Sequence, residues 1–372
     1  MRSHSEVVVV GGGIVGSSIA YRLASTGVGV TVIERDSIGS HASGFALGLL
    51  NPTNETGNIE ALNHLSFNLH KQQLDVVQDE SGVDAHVLTM PHIELALEES
   101  EIPELKVEVA RINAFSNFKS SWLEPDEVRK IEPRITDNNY GGVLVEDVII
   151  LDSYNLTLAT GQAAEARGVD FVLAEATGIV YEKDKAVGVA VGSDTITCDA
   201  VVLALGPWSG TASLWLGIDI PIIPQKGEIV RVEGFEKPLG IHLHGMVFGD
   251  SFSVVEKADG ATWLAATVEN GAGFNVTPSG KAMESLSQRG IRMIPGLESH
   301  LLVLQTACMR PVTSDGGPIL GKVPGKEGMF IATGTGGKGI LLAPVIGRAL
   351  VDLITTGETD YEISEFGLDR FS

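Results

Sequence analysis

Three things are scarce in this chain. Cysteine occurs only at Cys198 and Cys308, too little for a disulfide framework or a cysteine-built metal site. Positive charge is also short: 26 Lys and Arg stand against 48 Asp and Glu, a formal charge of −22. Such a surface argues against nucleic acid or an anionic membrane as partner. An anionic cofactor must then be held by backbone amides and helix N-termini rather than by a positive field. Long apolar runs are the third absence. None reaches the roughly 18 residues of a bilayer span, and Glu6 ahead of the run Val7 to Ala20 argues against a secretory leader. The expectation is a cytoplasmic protein with no membrane span.

What is present is glycine, 44 residues of it, in a chain that is 44% hydrophobic. That balance fits an enzyme rich in glycine turns and argues against disorder. A length of 372 residues exceeds the usual single domain and predicts two domains or one elaborated α/β unit. Nine histidines are scattered, with His242 and His244 two apart. On a strand these two share a face, a weak metal signal read here as surface, so no metal is expected.

The stretch EVVVVGGGIVGSSIAYRLASTGVGVTVIE, from Glu6 to Glu34, says most. Val7 to Val10 read as a buried parallel strand. Gly11, Gly13 and Gly16 match G-x-G-x-x-G. The first allows a tight turn, the second lets backbone approach a pyrophosphate, and the third lets helix pack on strand. A helix beginning near Ile14 points its N–H groups at phosphate. Glu34 ends the second strand, where a carboxylate accepts hydrogen bonds from ribose hydroxyls.

The loop Gly39 to Pro52 is made of small residues, and Ala61 to Asp79 has the spacing of one long helix. From Val83 to Val148, short strand-like pieces alternate with polar stretches, with Pro125 and its acidic neighbours suited to a helix first turn. Leu156 to Ala166 reads as helix, and Thr195 to Gly206 as a buried strand ending in a turn before Pro207-Trp208-Ser209. Pro221 to Thr267 reads as short strands of an antiparallel sheet. Met329 to Ile354 returns to strand, glycine turn and helix. These blocks predict an α/β fold: a Rossmann-type dinucleotide-binding domain from 1–80, 149–215 and 300–372, interleaved with a mainly antiparallel-sheet domain from 81–148 and 216–299.

Taken in order, Gly11 to Glu34, Ala42-Ser43-Gly44, Ala204 to Ser209, Arg310-Pro311-Val312-Thr313-Ser314-Asp315-Gly316 and Gly339 to Pro344 resemble the D-amino-acid oxidase-like FAD oxidoreductases. The resemblance spans essentially the whole chain. It lies nearest the glycine oxidase, sarcosine oxidase and dimethylglycine dehydrogenase branch. It makes the two predicted domains a Rossmann-type FAD-binding domain and a substrate domain. It implies FAD, oxidation of a C–N bond beside a carboxylate, hydride transfer to flavin N5, and hydrolysis of the imine product. It assigns cofactor contacts to Gly11, Gly13, Ile14, Val15, Gly16, Glu34, Arg35, Ser43, Gly44, Gly206 and Trp208, and to Gly334, Gly336, Gly337, Lys338, Gly339 and Ile340. A helix N-terminus after the last glycines would stabilise charge developing on the flavin pyrimidine edge, with Lys338 adding its own. Arg310 aligns with the family's substrate arginine, and a planar guanidinium holds a carboxylate bidentately.

Departures from the pattern also matter. Where glycine oxidases carry an aromatic hydroxyl in the substrate-domain strand, this chain has Phe252. Their histidine and arginine in the last glycine turn are Thr335 and Gly337. These losses predict a substrate bulkier or more apolar than glycine. Cys308 sits where sarcosine oxidases attach the flavin covalently, and His41 resembles the attachment histidine of dimethylglycine dehydrogenases. Either would make the FAD covalent, although a free cysteine is more often structural. The expected partners are a small amino acid or amine substrate and dioxygen or another electron acceptor; a homo-oligomer is compatible with the sequence but not required by it. Two rival functions stay open: a 2-hydroxy acid dehydrogenase using His242 or His244 as base, and a flavin-binding subunit of a larger complex. A nicotinamide dehydrogenase is weakened by the missing second βαβ half.

Overall fold

The computed structural model describes residues 4–54, 56–115 and 118–371. The chain divides into two compact units, the first from Met1–Ala85, Asp152–Gln225 and Met309–Ser372, the second from His86–Leu151 and Lys226–Cys308.

The first unit is built on an eight-stranded sheet. Its main path runs Ile319–Lys322, Met329–Thr333, Asp194–Leu203, His4–Val10, Val30–Glu34, Asp170–Leu173. Every neighbouring pair on this path is parallel except Ile319–Lys322 with Met329–Thr333. Val7 to Val10 are each at most 3% exposed, which only a strand covered on both faces permits. Because the inner strands run the same way, the turns after Val10, Glu34, Leu203 and Thr333 all gather at their carboxyl ends. That edge is where open parallel sheets bind ligands. Ala176–Glu182 and Lys185–Val191 add an antiparallel flap beside Asp194–Leu203.

The helices Ile14–Ser25 and Gly339–Thr355 pack on this sheet, and Asn58–Ser81 and Ser153–Ala166 pack on those helices in turn. Ile14–Ser25 and Gly339–Thr355 cross so closely that a Cβ on Gly347 would lie 2.8 Å from the hydroxyl of Ser18. That hydroxyl instead donates to the carbonyl of Ala343 at 2.9 Å. Ser153–Ala166 starts where the Asp152 side chain accepts from the amide of Asn155 at 2.8 Å, satisfying one of the orphan donors of a helix start.

The second unit holds a sheet in the order Leu302–Val312, Ile223–Glu233, Ala261–Ala265, Asp250–Glu256, His242–Val247, Leu88–Leu95, Gly142–Ile150, with Ser120–Leu123 beside the last. From Ile223–Glu233 onward its neighbouring strands pair antiparallel, except His242–Val247 with Leu88–Leu95, which is parallel. The helix Pro125–Ile131 opens with a capping box between Glu124 and Glu127. The helix Ile102–Asn113 escaped the sequence pattern because only Ile112 is buried on it. Without an apolar stripe, a helix has no periodic signal.

One expected site residue moves here. Phe252 is 1% exposed and packs in the core of this unit with Leu243, Val254 and Leu264. Successive side chains of a strand face opposite ways, so Ser251 and Ser253, not Phe252, lie on the other face. Phe252 is a core residue rather than a pocket residue.

Candidate functional site

At the carboxyl edge of the first unit, Gly11 has φ +114 and a Cβ there would fall 2.3 Å from the carbonyl oxygen of Ala204. Only glycine lets the two strand ends approach this closely. Gly16 is pressed as tightly: its Cβ would meet the Gly11 carbonyl at 2.0 Å. No side chain of the helix Ile14–Ser25 caps its own start. Ser43 does so from the neighbouring loop, its hydroxyl accepting from the amide of Ile14 at 3.0 Å. That hydroxyl oxygen occupies the place of an anion acceptor at a helix N-terminus. Gly44 is held by the turn behind it, where a Cβ would lie 2.2 Å from the Gly39 carbonyl. Val15 follows Ile14 in the first turn.

A cavity of about 410 Å³ opens beside this turn, lined by Gly11, Gly13, Glu34, Arg35, His41, Ser43, Gly206 and Trp208 among others. Glu34 is held by two backbone amides, Gly12 on Oε2 at 2.7 Å and Asp36 on Oε1 at 2.9 Å. The Arg35 guanidinium lies 4.2 Å from the ring centroid of Trp208, and the His41 ring is tilted 4.5 Å away from the same ring. His41 Nε2 is 2.7 Å from Asp36 Oδ2. Hydrogen bonds from His41 and then Arg35 hold the Asp36 carboxyl below its usual range. These surfaces fit a dinucleotide: bare backbone where a phosphate approaches, an anchored carboxylate at the far strand end, and a cavity between them.

The turn at Gly206 is tied to the end of Met329–Thr333 by buried hydroxyls. Ser209 donates to Gly206 at 2.8 Å and lies 2.7 Å from the Thr333 hydroxyl. No motif announced this tie. The sequence also gave no sign that Ala174 to Thr177 would line the cavity, since they follow a strand of ordinary composition.

The last glycine turn closes the same unit. Gly334 and Gly336 have φ +73 and +53, and Gly337, Lys338 and Gly339 lead into the helix Gly339–Thr355, with Lys338 at its N-cap and Ile340 buried in its first turn. The amide of Gly336 donates to the carbonyl of Pro311 at 2.8 Å, which sets half-buried Arg310 next in sequence to the point where the turn is fastened. The segment after Arg310 is a firm turn. Thr313 donates to Gly317 at 2.7 Å, and Arg370 donates to Asp315 at 2.7 Å. The bond from Arg370 brings the Asp315 carboxyl down to about 2. Cys308, half-buried, is the last residue of the second unit.

The second unit contains a cluster that sequence reading found only in half. His244 Nδ1 lies 2.5 Å from Glu94 Oε2, and its Nε2 lies 2.8 Å from the Ser251 hydroxyl. Behind them, the Nδ1 atoms of His92 and His242 face each other at 2.6 Å. One proton must sit between those nitrogens. If His242 supplies it, His92 carries its own proton on Nε2, 3.7 Å from Glu94, and the partnerless buried Nε2 of His242 is only a lone pair. That tautomer is assigned because an unpaired buried N–H is the costlier choice. Burial lowers the pKa of both His92 and His242. Burial raises that of Glu94, but the charge and hydrogen bond of His244 overcome this and hold it well below the carboxylate range. With both His244 nitrogens engaged and His242 buried, neither histidine presents a ready base. A metal has no room between the facing nitrogens, and among the described residues no His, Cys, Asp and Glu group is placed to hold one. The missed half, His92 and Glu94, repeats the two-residue spacing of His242 and His244; that was the available signal. No helix among the described residues is long and apolar enough to cross a membrane.

Comparison with known proteins gives a consistent family. The model of the FAD dependent oxidoreductase family matches residues 6–353. A glycine oxidase of Bacillus licheniformis is 30% identical over 357 residues, covering 95% of this chain and 94% of that protein. One from Bacillus subtilis (strain 168) is 29% identical, covering 100% and 98%. The crystal structure of glycine oxidase from Geobacillus kaustophilus is similar with a TM-score of 0.92 at 26% identity, covering 98% of each chain.

Proposed function

Because the chain belongs to the FAD-dependent oxidoreductase family, we propose that it oxidises the C–N bond of a small amino acid or N-methyl amino acid. Bound FAD would supply the hydride acceptor for this oxidation. The residues that would hold it are Gly11, Gly13, Ile14, Val15 and Gly16 with Ser43 and Gly44 at the phosphates, Glu34 and Arg35 at the ribose end beside Gly206 and Trp208, and Gly334 to Ile340 at the ring. Arg310 is the substrate carboxylate clamp: its guanidinium fixes the acid so that the Cα–H has one orientation. Lys338 adds positive charge at the head of the last helix, where developing negative charge is favoured. The observation that carries this reading is the bond between Gly336 and Pro311 at 2.8 Å, which keeps the clamp arginine beside the ring-binding turn within one rigid stretch of chain.

Two features support a substrate larger than glycine. A Cβ at Gly337 would meet no atom within 4 Å, so the position that carries an arginine in the glycine oxidases this chain resembles is open space here. Thr335, which stands where those enzymes carry a histidine, is buried and smaller than that ring. The imine formed by oxidation leaves to be hydrolysed by water. His41 is engaged with Asp36 and Trp208 near Glu34, which argues against it as an attachment residue and leaves Cys308 as the candidate if the FAD is covalent.

The test is anaerobic bleaching of the flavin absorbance by a panel of glycine, N-methyl amino acids, larger amino acids and 2-hydroxy acids. Bleaching by larger or N-methylated amino acids ahead of glycine supports the reading. Glycine as best substrate removes the size argument, and bleaching by 2-hydroxy acids alone replaces the reaction class. No bleaching by any of them, with stable co-purification of a second chain, points to a flavin-binding subunit. Acid precipitation gives a colourless pellet if the FAD is dissociable.

A further inference from the structure

Helix Gly339–Thr355 carries a proline in its second turn, Pro344. Proline has no N–H, so the carbonyl four residues before it, that of Ile340, loses its regular helical donor. A buried carbonyl left without any donor bears its full desolvation penalty. Here it has a donor from another helix: Nε2 of His70, on Asn58–Ser81, lies 2.9 Å from the Ile340 oxygen in a buried contact.

The repair extends to the neighbouring groups. Ser66, one turn before His70, accepts at 3.3 Å from the amide of Val345, the residue after the proline. A separate bond, from the Ser18 hydroxyl of the first helix to the Ala343 carbonyl at 2.9 Å, ties the same stretch to the glycine-motif helix. A carbonyl oxygen only accepts, so the His70 proton is on Nε2. Its Nδ1 is a buried lone pair without a partner. Burial brings the His70 pKa down to about 4 against the pull of the Ile340 and Leu341 carbonyls, so the ring remains a neutral donor at ordinary pH. An apolar side chain could fill the same space, but it could not make this bond.

Ile340 is the second residue of the helix, directly after the glycine turn Gly334 to Lys338. We propose that His70 is a positioning residue for FAD: it replaces the donor that Pro344 lacks, and so holds the first turn of this helix in the arrangement presented to the flavin ring. The proposal rests on the reading of Gly334 to Lys338 as the ring-binding turn.

The experiment titrates apoprotein with FAD, following flavin fluorescence, for wild type, His70→Leu, His70→Gln, Pro344→Ala and the double variant His70→Leu with Pro344→Ala. Amide hydrogen exchange over 339–345 is measured on each apoprotein. Pro344→Ala restores a main-chain donor to Ile340, so it should make His70 dispensable. We expect His70→Leu to weaken FAD binding at least tenfold and to speed exchange over 339–345 by a similar factor. His70→Gln, which keeps a donor, stays within threefold of wild type. Adding His70→Leu to Pro344→Ala changes both readouts by less than threefold. Equal losses in the two backgrounds, or no loss in either, overturn the donor replacement. Faster exchange with unchanged FAD affinity overturns the positioning role by removing the ring-binding turn on which it rests, while leaving the helix repair intact. If His70→Leu does not fold, the double variant compared with Pro344→Ala, and His70→Gln compared with wild type, decide the question.

Discussion

The amide of Gly12 donates to Glu34 at 2.7 Å, joining the middle of the glycine turn to the carboxylate at the end of the next strand. The contact orients one carboxylate oxygen, and the amide of Asp36 orients the other at 2.9 Å. A carboxylate fixed in this way meets ribose hydroxyls without losing further side-chain freedom. Glu34→Ala should weaken FAD binding by on the order of 10- to 100-fold, the loss of about 1.5–3 kcal/mol of charge-assisted hydrogen bonding. Fluorescence titration of the apoprotein measures it. An unchanged dissociation constant would remove Glu34 from the cofactor site.

Arg310 makes a different prediction because it is assigned to substrate rather than cofactor. Arg310→Ala should raise KM by roughly 30- to 100-fold, corresponding to about 2–3 kcal/mol for a charged hydrogen-bonded contact, with FAD content unchanged. Arg310→Lys should recover only part of this loss, since an ammonium group does not reproduce the planar fork. Steady-state kinetics on the best substrate of the panel, beside the flavin-to-protein absorbance ratio, separate the two effects. Wild-type kinetics in Arg310→Ala would end the clamp assignment.

A third prediction concerns stability in the second unit. Lys226 and Glu228 are 3% and 0% exposed, with Nζ 3.0 Å from Oε1. Glu228 also accepts from the amide and hydroxyl of Ser279, each at 2.9 Å, and from Gln305 at 2.8 Å. Burial raises the Glu228 pKa, but the bonds from Ser279 and Lys226 outweigh it and leave the carboxyl below its ordinary value. Ser279 in turn caps the helix Gly280–Met293, so the pair anchors a helix start. Lys226→Met strands a buried carboxylate and should destabilise by about 3–5 kcal/mol. Lys226→Met combined with Glu228→Leu should destabilise by less than the sum of the two single changes. Urea midpoints of the three variants test this, and strict additivity would show the two groups to be uncoupled.

How far these sites were legible depended on sequence distance. Gly11, Gly13, Gly16 and Glu34 fall within one strand–turn–helix–strand unit, where local chain geometry dictates the residue at each point. The pattern of Asp250-Ser251-Phe252-Ser253-Val254 also held the information needed to place Phe252, since it shares its face with Val254 and the serines share the other. The family resemblance points Phe252 to the pocket, whereas the alternation points it to the core. The contacts of His92 with His242, and of Glu94 with His244, arise from a parallel strand pairing between residues 150 apart. No local period records such a pairing. The same holds for His70 and Ile340, 270 residues apart; there a proline inside a helix marks a missing donor but not its replacement.

The buried histidines predict the acid side of the stability curve. His70 has its pKa lowered from 6.5 to about 4, chiefly by burial. In the unfolded chain it takes up a proton as pH falls below about 6.5, whereas the folded protein resists until about 4. Between those values the unfolded state binds more protons, so stability falls as pH falls. At pH 5 this amounts to roughly 2 kcal/mol from His70 alone, approaching about 3 at lower pH. His92 and His242 are shifted in the same direction by burial and add to the loss. Asp315, brought down to about 2 by Arg370, contributes stability that is fully present above its ordinary value of 3.8 and is lost as pH falls toward 2, a separate and lower window. His70→Gln keeps a donor for Ile340 but does not titrate. Urea unfolding at pH 7 and pH 5 should therefore show a smaller drop in this variant than in wild type, by roughly 2 kcal/mol. Identical drops would mean that His70 titrates normally in the folded protein and is not sealed from water.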